Sequence, residues 1–139
     1  MDIRLFQESD TESVIALWKQ VFSDKQPHNN PVLVINQKLA RQPELFFVAE
    51  IDSVIAGTIM AGYDGHRGWL YTVAVNPQYR RRGIGTKLVQ HAEKVLTAMG
   101  CLKINLQVRA NNAEVVEFYQ KLGYLTDGNI SMGKVVTGV

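Results

Sequence analysis

The chain has only one cysteine, Cys101, so no disulfide can form within it and no cysteine-rich metal site can be built. A reducing cytosolic setting suits such a chain. No apolar run is long enough to cross a bilayer, and the opening residues Met1, Asp2, Ile3 and Arg4 lack the continuous apolar stretch of a secretory signal. These gaps point to a cytoplasmic protein with no membrane partner. The histidines His28, His66 and His91 are scattered without metal-ligand spacing, so no metal is expected. Excess charge is scarce too: 15 Lys+Arg stand against 13 Asp+Glu, a formal +2. That is too little for a generally basic nucleic-acid binder, and no aromatic residues interleave with the arginines, so no nucleic-acid partner is expected.

Hydrophobic residues make up 46% of the 139 positions, with no repeat, low-complexity tract or linker. One domain spanning residues 1–139 is the expectation. Ile3 to Phe6 reads as an opening strand, followed by a helix with Ser9 and Glu12 as capping box and Val14, Leu17, Trp18 and Val21 on one face. Asn30 and Pro31 start a second helix with Val32, Ile35 and Leu39 as its apolar stripe. Leu45 to Ile51 and Val54 to Tyr63 form a hairpin about Asp52 and Ser53, and Trp69 to Val75 forms a further strand. Helical spacing from Ile84 through Leu88, Ala92, Val95 and Met99 ends at Gly100, and Lys103 to Val108 alternates as a strand. Asn111 or Asn112 caps a last helix with Val115, Phe118, Tyr119 and Leu122 inward and a Schellman ending at Gly123 and Tyr124. A final strand is expected near Ser131 to Val136. The sum is an α+β fold on one mixed sheet.

The segment between the third-last strand and the clearest helix is chemically odd. Gly83 and Gly85 stand where the first helical turn begins, at a cost of about 1 kcal/mol relative to alanine in a helix interior. Arg80, Arg81 and Arg82 crowd beside them, and no Ser, Asp or Asn is present to cap the free N–H groups. A bound anion accounts for all three, because a helix N-terminus offers bare amides and partial positive charge while arginine adds charge-assisted hydrogen bonds. The bland alternative is a glycine turn with a solvated arginine run.

Arg80-Arg81-Arg82-Gly83-Ile84-Gly85 resembles the main signature of the GCN5-related N-acetyltransferases, and Asn112, Phe118, Tyr119, Gly123 and Tyr124 resemble the second. Gly62 to Gly68 is similar to a loop of the bacterial subgroup near the ribosomal-protein N-terminal alanine acetyltransferases. The P-loop reading fails for want of a Gly-Lys-Ser/Thr ending, and a dinucleotide fold lacks its third glycine. The resemblance implies a mostly antiparallel sheet that splays open, with helices on both faces. It implies acetyl-coenzyme A as cosubstrate, its pantetheine along Val73, Ala74 and Val75 and its pyrophosphate on amides around Arg81, Arg82, Gly83, Ile84, Gly85 and Thr86. Arg80 belongs to the same motif, and Asn112 contacts the cosubstrate as well. The partner is an amine of a small molecule or protein, and Trp18, Phe22 and the polar loop Ser23 to Asn30 border its site.

By the same resemblance Tyr119 is the general acid, since a phenol with pKa of about 10 can protonate a leaving thiolate whose thiol pKa is about 8.5. Read from spacing alone, Tyr119 is an inward core residue beside Phe118. The strand Trp69 to Val75 contains no acid. Glu50, Asp64 and His66 are the candidate bases, each also readable as a strand-edge or turn residue. Cys101 reads as an inert buried thiol. The missing acid keeps a non-catalytic acyl-coenzyme A sensor open beside the transferase.

Overall fold

A computed structural model describes residues 1–23 and 25–137; Asp24, in the polar loop expected at the acceptor site, lies outside the described residues. By its internal contacts the chain forms two compact units, Met1–Leu106 and Gln107–Val139.

The first unit is built from strands β1 (Asp2–Leu5), β2 (Phe46–Ile51), β3 (Val54–Tyr63), β4 (Gly68–Val75) and β5 (Ile104–Leu106), with helices α1 (Thr11–Val21), α2 (Pro31–Ala40) and α3 (Ile84–Ala98). The sheet runs β1-β2-β3-β4-β5 in sequence order. The first three pairings are antiparallel and only β4 with β5 is parallel. Asp52 and Ser53 turn the β2–β3 hairpin with φ of 48° and 65°, the left-handed pair that a two-residue turn needs to match strand twist.

Neighbouring residues of β3 show how the sheet is sandwiched. Thr58 accepts the Trp18 indole N–H of α1, whereas a Cβ on Gly57 would lie 2.9 Å from Leu88 Cδ1 of α3. Successive strand residues face opposite sides, so α1 and α3 cover opposite faces. Phe6, Val14, Trp18, Ile35, Phe46 and Met60 form the core on the α1 side. Ile84, Leu88, Val89, Ala92 and Leu96 are the buried face of α3. That stripe differs from the expected one at its end, where Leu96 is buried and Met99 is exposed.

Three local expectations are corrected. The Ser9–Glu12 capping box does not form: Asp10 Oδ2 instead accepts the Gln7 N–H at 2.9 Å and the Arg4 guanidinium at 2.8 Å. A buried carboxylate is better satisfied by an ion pair plus an amide than by solvent. In α2, Asn30 Oδ1 caps Val32 and Leu33 as expected, but Val32 is exposed and Lys38 takes an inward place beside Ile35.

The second unit holds helix α4 (Ala113–Lys121). Its end has the Schellman pattern: Tyr124 N–H to Tyr119 O and Gly123 N–H to Gln120 O, both 3.0 Å, with Gly123 at φ 97°. The strand expected near Ser131 to Val136 is the third correction. Those residues are exposed and carry no strand, and the described part of this unit contains no other strand to supply a ladder.

Candidate functional site

The central strand is kinked. In the β3–β4 register Thr58 faces Ala74 and Met60 faces Tyr71, so Ile59 alone stands opposite Thr72 and Val73. This is a β-bulge, with Thr72 at φ 53°. Left-handed backbone at a β-branched residue costs about 1–3 kcal/mol and persists only where surroundings hold it. Here the fully buried Thr58 hydroxyl donates to Thr72 O at 3.2 Å and accepts the Trp18 Nε1–H at 2.9 Å. Trp18 is thus both core and the far support of the bulge.

The sheet also opens at this point. β5 pairs with Gly68, Trp69 and Leu70 only, so Tyr71–Val75 have β3 on one side and no β5 partner on the other. Val73, Ala74 and Val75 lie along this opening, downstream of the bulge.

Past Val75, Asn76 ties the strand end down: its N–H donates to Ala56 O at 2.8 Å and its Oδ1 accepts from Gln78 N at 3.0 Å. A single 3₁₀ turn, Pro77–Tyr79, leads to Arg80, Arg81 and Arg82, all exposed. Arg82 stacks over the Tyr79 ring at 5.0 Å, while Arg81 is left-handed at φ 67°. Gly83, at φ 74°, is the N-cap of α3 and offers no side-chain cap. The first bond into the helix is Lys87 N–H to Gly83 O at 3.0 Å, which leaves the amides of Ile84, Gly85 and Thr86 at an uncapped tip. A Cβ on Gly83 would meet nothing within 4 Å, so the backbone angle, not crowding by the protein, calls for glycine there. These amides, the positive helix end and three arginines suit a diphosphate.

In the second unit Asn112 caps α4, its Oδ1 accepting from Val115 N at 3.4 Å. Tyr119 is buried, with the rings of Phe118 and Tyr124 edge-on at 5.0 and 5.7 Å. Burial pushes its phenol up to about 12.

The Glu50 and Asp64 carboxylates have other partners, and His66 lends its backbone N–H to one of them. Glu50 Oε1 accepts Arg4 Nε at 3.1 Å on β2, two strands from β4. Asp64 Oδ1 accepts the N–H groups of His66 and Arg67 at 2.8 and 2.7 Å, bonds that hold its carboxyl below the ordinary range. Asp64 and His66 therefore build the β3–β4 turn, at the opposite end of β4 from Val73–Val75. His91 is half-buried, edge-on to Phe47 at 4.6 Å. Burial, and then Lys94, lower its pKa. Cys101 is buried with its Sγ toward Lys103 O at 3.3 Å.

One polar pair was missed. Lys38, 6% exposed, donates its Nζ to Tyr71 Oη at 2.7 Å and to the carbonyl of Ala61. Burial pushes its ammonium down to about 8, with the Glu44 carboxylate opposing that shift. Burial raises the Tyr71 phenol. The available signal was a lysine three residues after Ile35, on the face that packs inward.

A mixed sheet that opens beside a bulged central strand, followed by a glycine-opened helix tip, is the framework of an acyl-coenzyme-A-dependent N-acyltransferase. The chain belongs to the acetyltransferase (GNAT) family, whose profile matches residues 11–124. A relative from Yersinia pestis, named an acetyltransferase, is 46% identical over 134 residues, covering 96% of this chain and 94% of its own. The crystal structure of Ard1 from Thermoplasma volcanium has a TM-score of 0.82 at 25% identity, covering 91% of this chain and 84% of that one. The PaiA N-acetyltransferase of Thermoplasma acidophilum, solved with coenzyme A, has a TM-score of 0.77 at 24% identity over 91% and 92% of the two chains, a likeness of fold.

Proposed function

We propose that the protein moves an acetyl group from acetyl-coenzyme A directly to an amine of a small molecule or of a protein. The observation that carries this reading is the uncapped tip of α3, where left-handed Gly83 and the exposed Arg80, Arg81 and Arg82 follow the bulged strand β4 after one 3₁₀ turn.

When bound, acetyl-coenzyme A supplies the activated acyl thioester. The amides of Ile84, Gly85 and Thr86 hold its diphosphate, and arginine at 80–82 adds charge. Main-chain groups of Val73, Ala74 and Val75 hold the pantetheine, and a backbone N–H near Val75 polarises the carbonyl. The family resemblance assigns Asn112 a further contact and Tyr119 the proton for the leaving sulfur. A phenol held near 12 stays protonated at neutral pH, as that role requires.

Thermal shift with acetyl-coenzyme A, coenzyme A and ATP tests the binding. Stabilisation by the first two, with coenzyme A release across a panel of amines and N-terminal-alanine peptides, supports the transferase; no stabilisation by either refutes it. The absence of any acid from β4 favours a second reading, a non-catalytic acyl-coenzyme A sensor. Stabilisation without turnover on any amine is the result that selects it.

A further inference from the structure

An acceptor amine arrives mostly as ammonium at neutral pH and must lose a proton before it can attack a carbonyl. β4 carries no carboxylate or imidazole for this, Glu50 is paired with Arg4 on β2, and Asp64 and His66 stand in the turn at the other end of β4. We infer that Tyr71 and Lys38 form the proton relay of this site, with Tyr71 facing the acceptor amine and Lys38 behind it as the proton store. The inference rests on the acetyltransferase reading.

Position carries the argument. Tyr71 is the first residue of β4 beyond the β5 pairing, and it directly precedes the bulge at Thr72. It is therefore at the fork of the sheet, two positions before the backbone proposed to line the cosubstrate. Its ring lies along β3, where a Cβ on Gly62 would be in ordinary contact with Tyr71 Cε1 at 3.5 Å. Tyr71 is 40% exposed while Lys38 is 6% exposed, so the pair meets the outside through the tyrosine. The lysine is fixed, held between Tyr71 Oη and Ala61 O with its Nζ 5.2 Å from the ring centre.

The step balances without a further reactant. Neutral Lys38 keeps one N–H on Ala61 O and presents its lone pair to the Tyr71 hydroxyl. The substrate ammonium gives a proton to Tyr71 Oη as the tyrosine's own hydrogen passes to Lys38 Nζ. The products are a neutral amine, an unchanged tyrosine and a Lys38 ammonium, which returns its proton to solvent by the reverse path after transfer. Among the groups facing Nζ, Tyr71 on β4 stays protonated through burial, and Glu44, in the turn after α2, is the carboxylate whose charge opposes deprotonation. Tyr71 is the catalytic residue in this scheme and Lys38 a positioning residue.

The test uses the full chain labelled with ¹³C at lysine Cε, with acetyl-coenzyme A and two probes of different basicity, n-butylamine and an N-terminal-alanine peptide. The Lys38 resonance is the one absent from Lys38→Arg or, where that variant does not fold, from Lys38→Met. It should titrate with a midpoint near 8, and kcat for both amines should rise with pH through the same midpoint. Lys38→Arg and Tyr71→Phe should each lower kcat by about 100-fold and erase that limb, while acetyl-coenzyme A still stabilises both variants. A Lys38 resonance titrating near 10.5, or a folded Lys38→Arg with an unchanged pH profile, overturns the relay alone. No stabilisation by acetyl-coenzyme A and no turnover overturn the transferase reading and the relay with it.

Discussion

The indole N–H of Trp18 donates at 2.9 Å to Thr58 Oγ1, and that same hydroxyl donates at 3.2 Å to the carbonyl of Thr72. A core tryptophan on α1 is thereby connected, through one fully buried threonine, to the strained residue at which β4 changes direction. Thr58→Val keeps the volume and removes both bonds. Unfolding in urea should show a loss of about 1–3 kcal/mol, the cost of a buried N–H and a carbonyl left without partners. The variant should also bind acetyl-coenzyme A more weakly. Unchanged stability and affinity would remove Thr58 from the support of the bulge.

Gly83→Val separates backbone conformation from ligand contact. At φ 74° a β-branched side chain is strained by about 1–2 kcal/mol, although the space around its Cβ is open. The expected outcome is modestly lower thermal stability of the free protein and loss of the acetyl-coenzyme A thermal shift. A shift of wild-type size would place the diphosphate elsewhere.

Lys38 makes a prediction about stability and pH. Its folded pKa of about 8 is below the ordinary 10.5, so the folded chain sheds this proton first. Below about pH 8 both states carry the charge and its burial weighs in full against folding. Between there and pH 10 the unfolded state binds more protons, and stability should rise relative to Lys38→Met. Above 10, where an unperturbed tyrosine ionises, the raised Tyr71 works in the opposite direction and limits the gain. Urea midpoints of the two proteins at pH 7, 8 and 9.5 measure this, and parallel curves would contradict it.

Tyr119→Phe should leave acetyl-coenzyme A binding intact and reduce kcat by about 100-fold. Because burial holds the phenol near 12, its ionisation should produce no falling limb of kcat up to about pH 10. Full activity in the phenylalanine variant would return Tyr119 to a packing role beside Phe118 and Tyr124.

What could be read along the chain was local. The Asp52–Ser53 hairpin, the Asn30–Pro31 helix start, the α3 repeat, the Schellman ending and the glycine-arginine loop each depend on residues a few positions apart. Their identities determine backbone angles or one helical face directly. The surroundings of the candidate bases were not local. Glu50 meets Arg4 only because β1 pairs with β2, a contact across 46 positions of chain. Likewise Val32 fitted a helical stripe, yet once α2 is packed Lys38 and not Val32 turns inward.

By itself, then, the sequence determined most of the elements, their order and the glycine-arginine loop, because capping, turn geometry and periodicity act within one or two helical turns. Tertiary structure alone decided three things: the bulge at Thr72, the fork after Leu70, and the contact between Lys38 and Tyr71. Each requires groups 14 to 36 residues apart to meet, as Thr58 meets Thr72 and β4 meets β5. The strength of such contacts depends on burial, and burial exists only once the sheet and its helices have packed.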